Sequence, residues 1–67
     1  MFIKLEFVKG HSETTRIVDG TYDVQNNWVI FQDYKHGNLR YINRDKLIGF
    51  TIIPEAETIE DVEKMKL

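Results

Sequence analysis

The chain has 67 residues, no cysteine, 42% hydrophobic and 30% charged residues, and a formal net charge of −2. This length makes one domain that buries only about 60% of its unfolded surface. The composition excludes disorder, the missing cysteines exclude disulfides and thiolate metal sites, and the balanced charge lacks the basic footprint of a nucleic-acid-binding domain.

Taken in chain order, the first predicted strand runs from Phe2 to Val8. Ile3, Leu5 and Phe7 share one face and Lys4 and Glu6 the other, a period of two. An N-terminus that already alternates in this way reads as a strand and not as a signal peptide. Residues 9–13 form a turn. A second strand is predicted from about Thr14 to Val24, with Gly20 bending it sharply. Asn26-Asn27 turns the chain again, because Asn tolerates the left-handed backbone such turns need. The third strand, Trp28 to Tyr34, and the fourth, Leu39 to Asn43, flank Lys35-His36-Gly37-Asn38 as a hairpin. That hairpin sets Tyr34 opposite Leu39, Asp33 opposite Arg40, Gln32 opposite Tyr41 and Phe31 opposite Ile42. One face then carries Val29, Phe31 and Ile42 with an Asp33–Arg40 ion pair. The other carries Trp28, Ile30, Gln32, Tyr34, Leu39, Tyr41 and Asn43. Arg44-Asp45-Lys46 reads as a short turn, of the length of a single 3₁₀ turn. A fifth strand, Leu47 to Ile53, places Ile48, Phe50 and Ile52 on one face and ends at Pro54. Thr58 and Asp61 then form a variant capping box before Val62, Met65 and Leu67, predicting an amphipathic helix from about 59 to 66.

Charge divides along the same line. Residues 1–54 hold seven Lys/Arg against six Asp/Glu, and residues 55–67 hold five acids against two Lys. The chain therefore reads as one domain, 1–67, made of a β-barrel over 2–54 and an acidic C-terminal helix or tail over 55–67. The longest apolar run, Trp28-Val29-Ile30-Phe31, is far short of a membrane span. A cytoplasmic protein without membrane contact is the expectation.

Five short strands, a glycine-bent second strand at Gly20, and the terse segment Ile42-Asn43-Arg44-Asp45-Lys46-Leu47 between the last two strands resemble the Sm-like and Src-homology-3-like small barrels. The resemblance covers residues 2–53. It implies a five-stranded antiparallel small barrel, here with a short C-terminal α-helix. Sm proteins carry an Arg-Gly or Lys-His pair in the last turn, where this chain reads Asn43-Arg44-Asp45. The resemblance therefore implies a fold and transfers no ribonucleic-acid site.

Catalytic constellations are absent from the pattern. Ser12, His11 and His36 lie in predicted turns, and His11-Ser12-Glu13 are adjacent, so their side chains diverge on an extended chain. Two histidines in separate turns give no chelating spacing. The expectation is a non-enzyme with no cofactor, no metal and no small-molecule substrate. Two binding surfaces remain. The aromatic side, with Trp28, Ile30, Tyr34, Leu39 and Tyr41, has the composition of an interface centre; it reads equally as barrel interior or as a surface covered by the helix through Ile59, Val62 and Met65. The alternative is a basic patch of Lys35, Arg40, Arg44 and Lys46 for nucleic acid. Strand parity separates its arginines from Tyr34 and Tyr41, whereas a stacking platform needs both on one surface. The favoured reading is a protein-interaction module with a protein partner or a second copy. A tiny cysteine-free chain of this kind resembles the accessory or inhibitor proteins of phages and mobile elements.

Overall fold

A computed structural model describes residues 1–64. Six strands build two three-stranded antiparallel sheets. They are β1 (Phe2–Phe7), β2 (Ser12–Arg16), β3 (Asp23–Gln25), β4 (Trp28–Gln32), β5 (Leu39–Asn43) and β6 (Leu47–Ile53), followed by α1 (Ile59–Lys64). The first sheet has the order β2-β1-β6 and the second β3-β4-β5. The predicted second strand is thus two strands, parted where Asp19-Gly20 turns and Gly20 takes φ +76°. A bridge between Ile17 and Asp33 links the sheets, with Val18 N–H donating to Gln32 O at 3.0 Å and Tyr34 N–H to Arg16 O at 3.1 Å. A closed ladder of five strands is not among the pairings of the described residues.

The core lies between the sheets. Ile3 and Leu5 from β1 meet Val29 and Phe31 from β4, with Ile17 from the link, and Phe7, Ile42, Leu47, Phe50 and Ile52 pack around them. Alternation along β1 and β4 dictates this inward set, since every second side chain faces the same way.

Two local expectations need correction. The β4–β5 hairpin pairs Phe31 with Arg40, Ile30 with Tyr41 and Gln32 with Leu39, so Asp33 does not face Arg40. Pairing stops early because Asp33 closes a wider loop. Its N–H donates to Asn38 O at 2.8 Å, its carbonyl accepts from Gly37 N–H at 2.7 Å, and its carboxylate accepts from Lys35 N–H at 2.7 Å. Next, Ile48 does not share a face with Phe50 and Ile52. Glu6 pairs with Gly49 and Phe7 with Leu47, so Ile48 is the extra residue of a β-bulge and is pushed into solvent. The predicted helix forms over Ile59–Lys64, while residues 65–67, with Met65 and Leu67, lie outside the described residues.

The 3₁₀ turn at Arg44–Lys46 forms where expected, capped by the Asn43 side chain accepting from Asp45 N–H. The α1 capping box also forms. Thr58 Oγ1 accepts from Asp61 N–H at 3.2 Å, and Asp61 Oδ2 accepts from Thr58 and Glu57 N–H at 3.2 and 3.1 Å. These bonds hold the Asp61 carboxyl below its ordinary value, the Glu57 N–H contributing most. The C-terminal segment packs Ala56 and Val62 against Phe2 and Ile53, on the outer side of the first sheet. No helix among the described residues is long and apolar enough to cross a membrane.

Candidate interaction face

The outward side of the second sheet is the candidate site. On β4 it carries Trp28, Ile30 and Gln32, and on β5 Leu39, Tyr41 and Asn43, because their inward neighbours Val29, Phe31 and Ile42 fill the core. Ile30 and Tyr41 are direct cross-strand partners. Trp28 sits diagonally from Tyr41, its ring edge-on at 6.4 Å and 81°. This T-shaped geometry suits the aromatic quadrupoles and orients both rings in advance. Trp28 is 42% exposed, Leu39 58% and Tyr41 56%. Ile30 is half-buried between them.

Three polar side chains around these residues hold local hydrogen bonds. Gln32 Nε2 donates to Gly37 O at 2.9 Å, Asn43 Oδ1 accepts from Asp45 N–H at 2.9 Å, and Gln25 Nε2 donates to Asp23 Oδ2 at 2.7 Å. Trp28, Leu39 and Tyr41 supply the exposed large side chains between these groups. The helix does not lie here: its Val62 contacts the other sheet, and Ile59 is exposed. Nor is this face the interior. The structure thus brings Trp28, Ile30, Leu39 and Tyr41 together in the open.

Tyr34 is placed elsewhere. It lies beyond the end of β4 in the wide loop, with the Arg16 guanidinium 3.8 Å from its ring centre. A cation over an aromatic face is favourable, and Arg16 Nε, buried without a hydrogen-bond partner, owes its setting to this contact. Nothing in the local sequence signals the pair, because residues 16 and 34 meet only through the link between the sheets.

The predicted basic patch is not assembled as one surface. Arg40 forms a two-pronged ion pair with Glu13 of β2 and lies 5.3 Å from the Phe31 ring centre. The hydrogen bond Arg40 donates to Glu13 is the main cause raising the Arg40 pKa, with the Glu13 and Asp33 charges adding to it. Lys35 precedes β5, and Arg44 and Lys46 follow it, so the five residues of the strand, about 17 Å, separate them. Among the described residues, no group of three or more His, Cys, Asp or Glu side chains is arranged to hold a metal ion.

No family model matches the chain, and no curated protein or solved structure matches it either. Function must therefore be argued from the geometry of the surface.

Proposed function

We propose that this chain is a non-catalytic interaction module that binds a protein partner through Trp28, Ile30, Leu39 and Tyr41. The scaffold is read as a small barrel in which β2 and β3 are the halves of one bent strand. An accessory or inhibitor protein of the cytoplasm, of the kind phages and mobile elements encode, fits this size and simplicity. The observation that carries the reading is an oriented aromatic pair flanked by exposed and half-buried aliphatics, beside Gln32 and Asn43 side chains that each hold a local hydrogen bond. Such a surface loses little freedom on binding, and aromatic anchors of this kind dominate interface energies. Charge argues against nucleic acid as the occupant: the strand residues of this face, on β3, β4 and β5, include the acid Asp23 and no cation, whereas stacking platforms for single strands are lined with cations.

The test compares Trp28→Ala and Tyr41→Ala with Phe31→Ala. The first two remove exposed area and should retain the fold, with melting temperatures near the parent's. Truncating the fully buried Phe31 should cost about 3–5 kcal/mol, a large share of the stability of so small a domain. Affinity capture from the source cell's lysate, identified by mass spectrometry, should yield a protein with the parent chain that both surface variants lose. If the surface variants melt as badly as Phe31→Ala, or capture the same proteins as the parent, the face is not the binding site. Salt-sensitive binding of single-stranded nucleic acid that survives Tyr41→Ala would also overturn the reading.

A further inference from the structure

A second surface, independent of the aromatic face, lies at the far end of the first sheet. There the Phe7 and His11 rings stack, 4.5 Å apart and 14° from parallel. A cavity of about 240 Å³ opens on each side of the stack. One is lined by Lys4, Glu6 and Ile48, the other by Val8, Lys9 and Lys46. Ile48, expelled by the bulge, is 72% exposed, and Val8 is also exposed. Each cavity is smaller than the roughly 300 Å³ at which ligand pockets begin; each is sized for a side chain of a protein partner. The surrounding charge is positive. Lys4, Lys9, Arg44 and Lys46 stand against Glu6 and Asp45, and none of the four cations makes an ion pair among the described residues.

The opposite end of the same sheet is its chemical complement. Phe2 begins β1 where Phe7 ends it, and the C-terminal segment packs on Phe2 and Ile53. Six strand residues, about 20 Å, separate the two ends. Residues 55–64 carry five acids against Lys64. Asp61 is committed to the helix cap, while Glu55, Glu57, Glu60 and Glu63 are exposed and make no ion pair among the described residues. Ile59, on the same helix, is exposed and apolar.

We infer that the cup lined by Val8, Lys9 and Lys46 is a docking site for the acidic α1 segment of a second copy of this chain. Ile59 of one copy inserts beside Val8 of the next, while its glutamates face Lys9 and Lys46. The two surfaces differ, so the contact is head-to-tail; copies join into a ring if the rotation closes and into a chain if it does not. Complementary charge sets the register and speeds encounter. It also makes the contact sensitive to salt, because the groups are exposed.

The test is sedimentation analysis of the full chain from micromolar to roughly 1 mM, where weak contacts become populated. Mass should rise with concentration at low salt, and raising salt from about 50 to 500 mM should weaken association about tenfold or more. Lys9→Glu/Lys46→Glu and Glu60→Lys/Glu63→Lys should each be monomeric while melting like the parent. Mixing the two variants should restore association, since each supplies a surface that fits the other. Two results overturn the inference: a parent chain that stays monomeric across the range, or association that neither charge reversal weakens. Association lost in Trp28→Ala and untouched by the charge reversals belongs to the aromatic face, so the two surfaces succeed or fail separately.

Discussion

The Glu13–Arg40 pair joins β2 of one sheet to β5 of the other, and its strength can be measured. Arg40 Nη1 and Nη2 donate to Glu13 Oε2 and Oε1, the second bond at 3.3 Å. The side chains are 32% and 37% exposed, so water screens the pair in part. Fully exposed pairs couple by about 0.2–1 kcal/mol, and buried charged hydrogen bonds are worth about 1.5–3. A half-exposed, two-pronged pair belongs near 1 kcal/mol. A double-mutant cycle of Glu13→Gln and Arg40→Gln, read by urea and thermal unfolding, should return a coupling near that value. In a domain this small, about 1 kcal/mol is about 4–8 °C in melting temperature. The coupling should shrink in about 1 M salt. The parallel cycle of Asp33→Asn with Arg40→Gln should give the smaller coupling, because Asp33 acts on Arg40 only through its charge and spends its carboxylate on Lys35 N–H. An Asp33 coupling equal to or larger than that of Glu13 would show that the hairpin register described here is wrong.

Two further outcomes follow from backbone geometry and capping. Gly20 sits at φ +76° with open space where a Cβ would point, and Gly49 has equally open space without a positive φ. Gly20→Ala should lose about 0.5–1 kcal/mol, strain of about 1–2 partly offset by a stiffer unfolded chain, while Gly49→Ala should gain about 0.4–1 kcal/mol; equal effects in urea unfolding would refute the assignment of strain to Gly20. The Asp61 carboxyl is held below its ordinary 3.8, so its contribution is present above that value and is lost as pH falls through the depressed one; the Glu57 and Thr58 amide resonances should shift in step with Asp61 protonation and stay still in Asp61→Asn.

The faces of β4 and β5 were legible in the sequence even though the hairpin register was not. Asp33 was read as a strand residue opposite Arg40, yet it closes a loop that moves each partner by two positions. Side chains alternate with a period of two, so a slip of two leaves every residue on its original face. Val29, Phe31 and Ile42 therefore share one face as read and Trp28, Ile30 and Tyr41 the other, and the structure turns the first set inward, which the sequence left open. Ile48 shows the opposite case. One extra residue in a bulge reverses parity, and a strand read as regular from Leu47 to Ile53 loses one core residue to solvent. Gly49 is the available signal, since an isolated glycine inside a strand often marks a bulge, but it does not say which neighbour is expelled. The same limit hid the Glu13–Arg40 and Arg16–Tyr34 contacts. Both cross between sheets, and neither follows from local spacing.

The two sheets treat their outer apolar residues differently, and that difference bears on the interaction reading. Phe2 and Ile53 are a cross-strand pair on the outer side of the first sheet, and the chain covers them with Ala56 and Val62 from the C-terminal segment. Trp28 and Tyr41 hold the equivalent side of the second sheet and remain open. A domain of this size gains from each apolar side chain it buries, and its C-terminal helix contains apolar residues able to provide such cover. That helix nevertheless points Ile59 into solvent and spends Val62 on the first sheet. An aromatic pair held in fixed geometry on the uncovered sheet therefore adds little to the stability of the fold. Uncovered apolar area also promotes aggregation unless a partner uses it. Retaining Trp28 and Tyr41 in this position is consistent with a surface shaped for binding and gives the capture experiment its specific target.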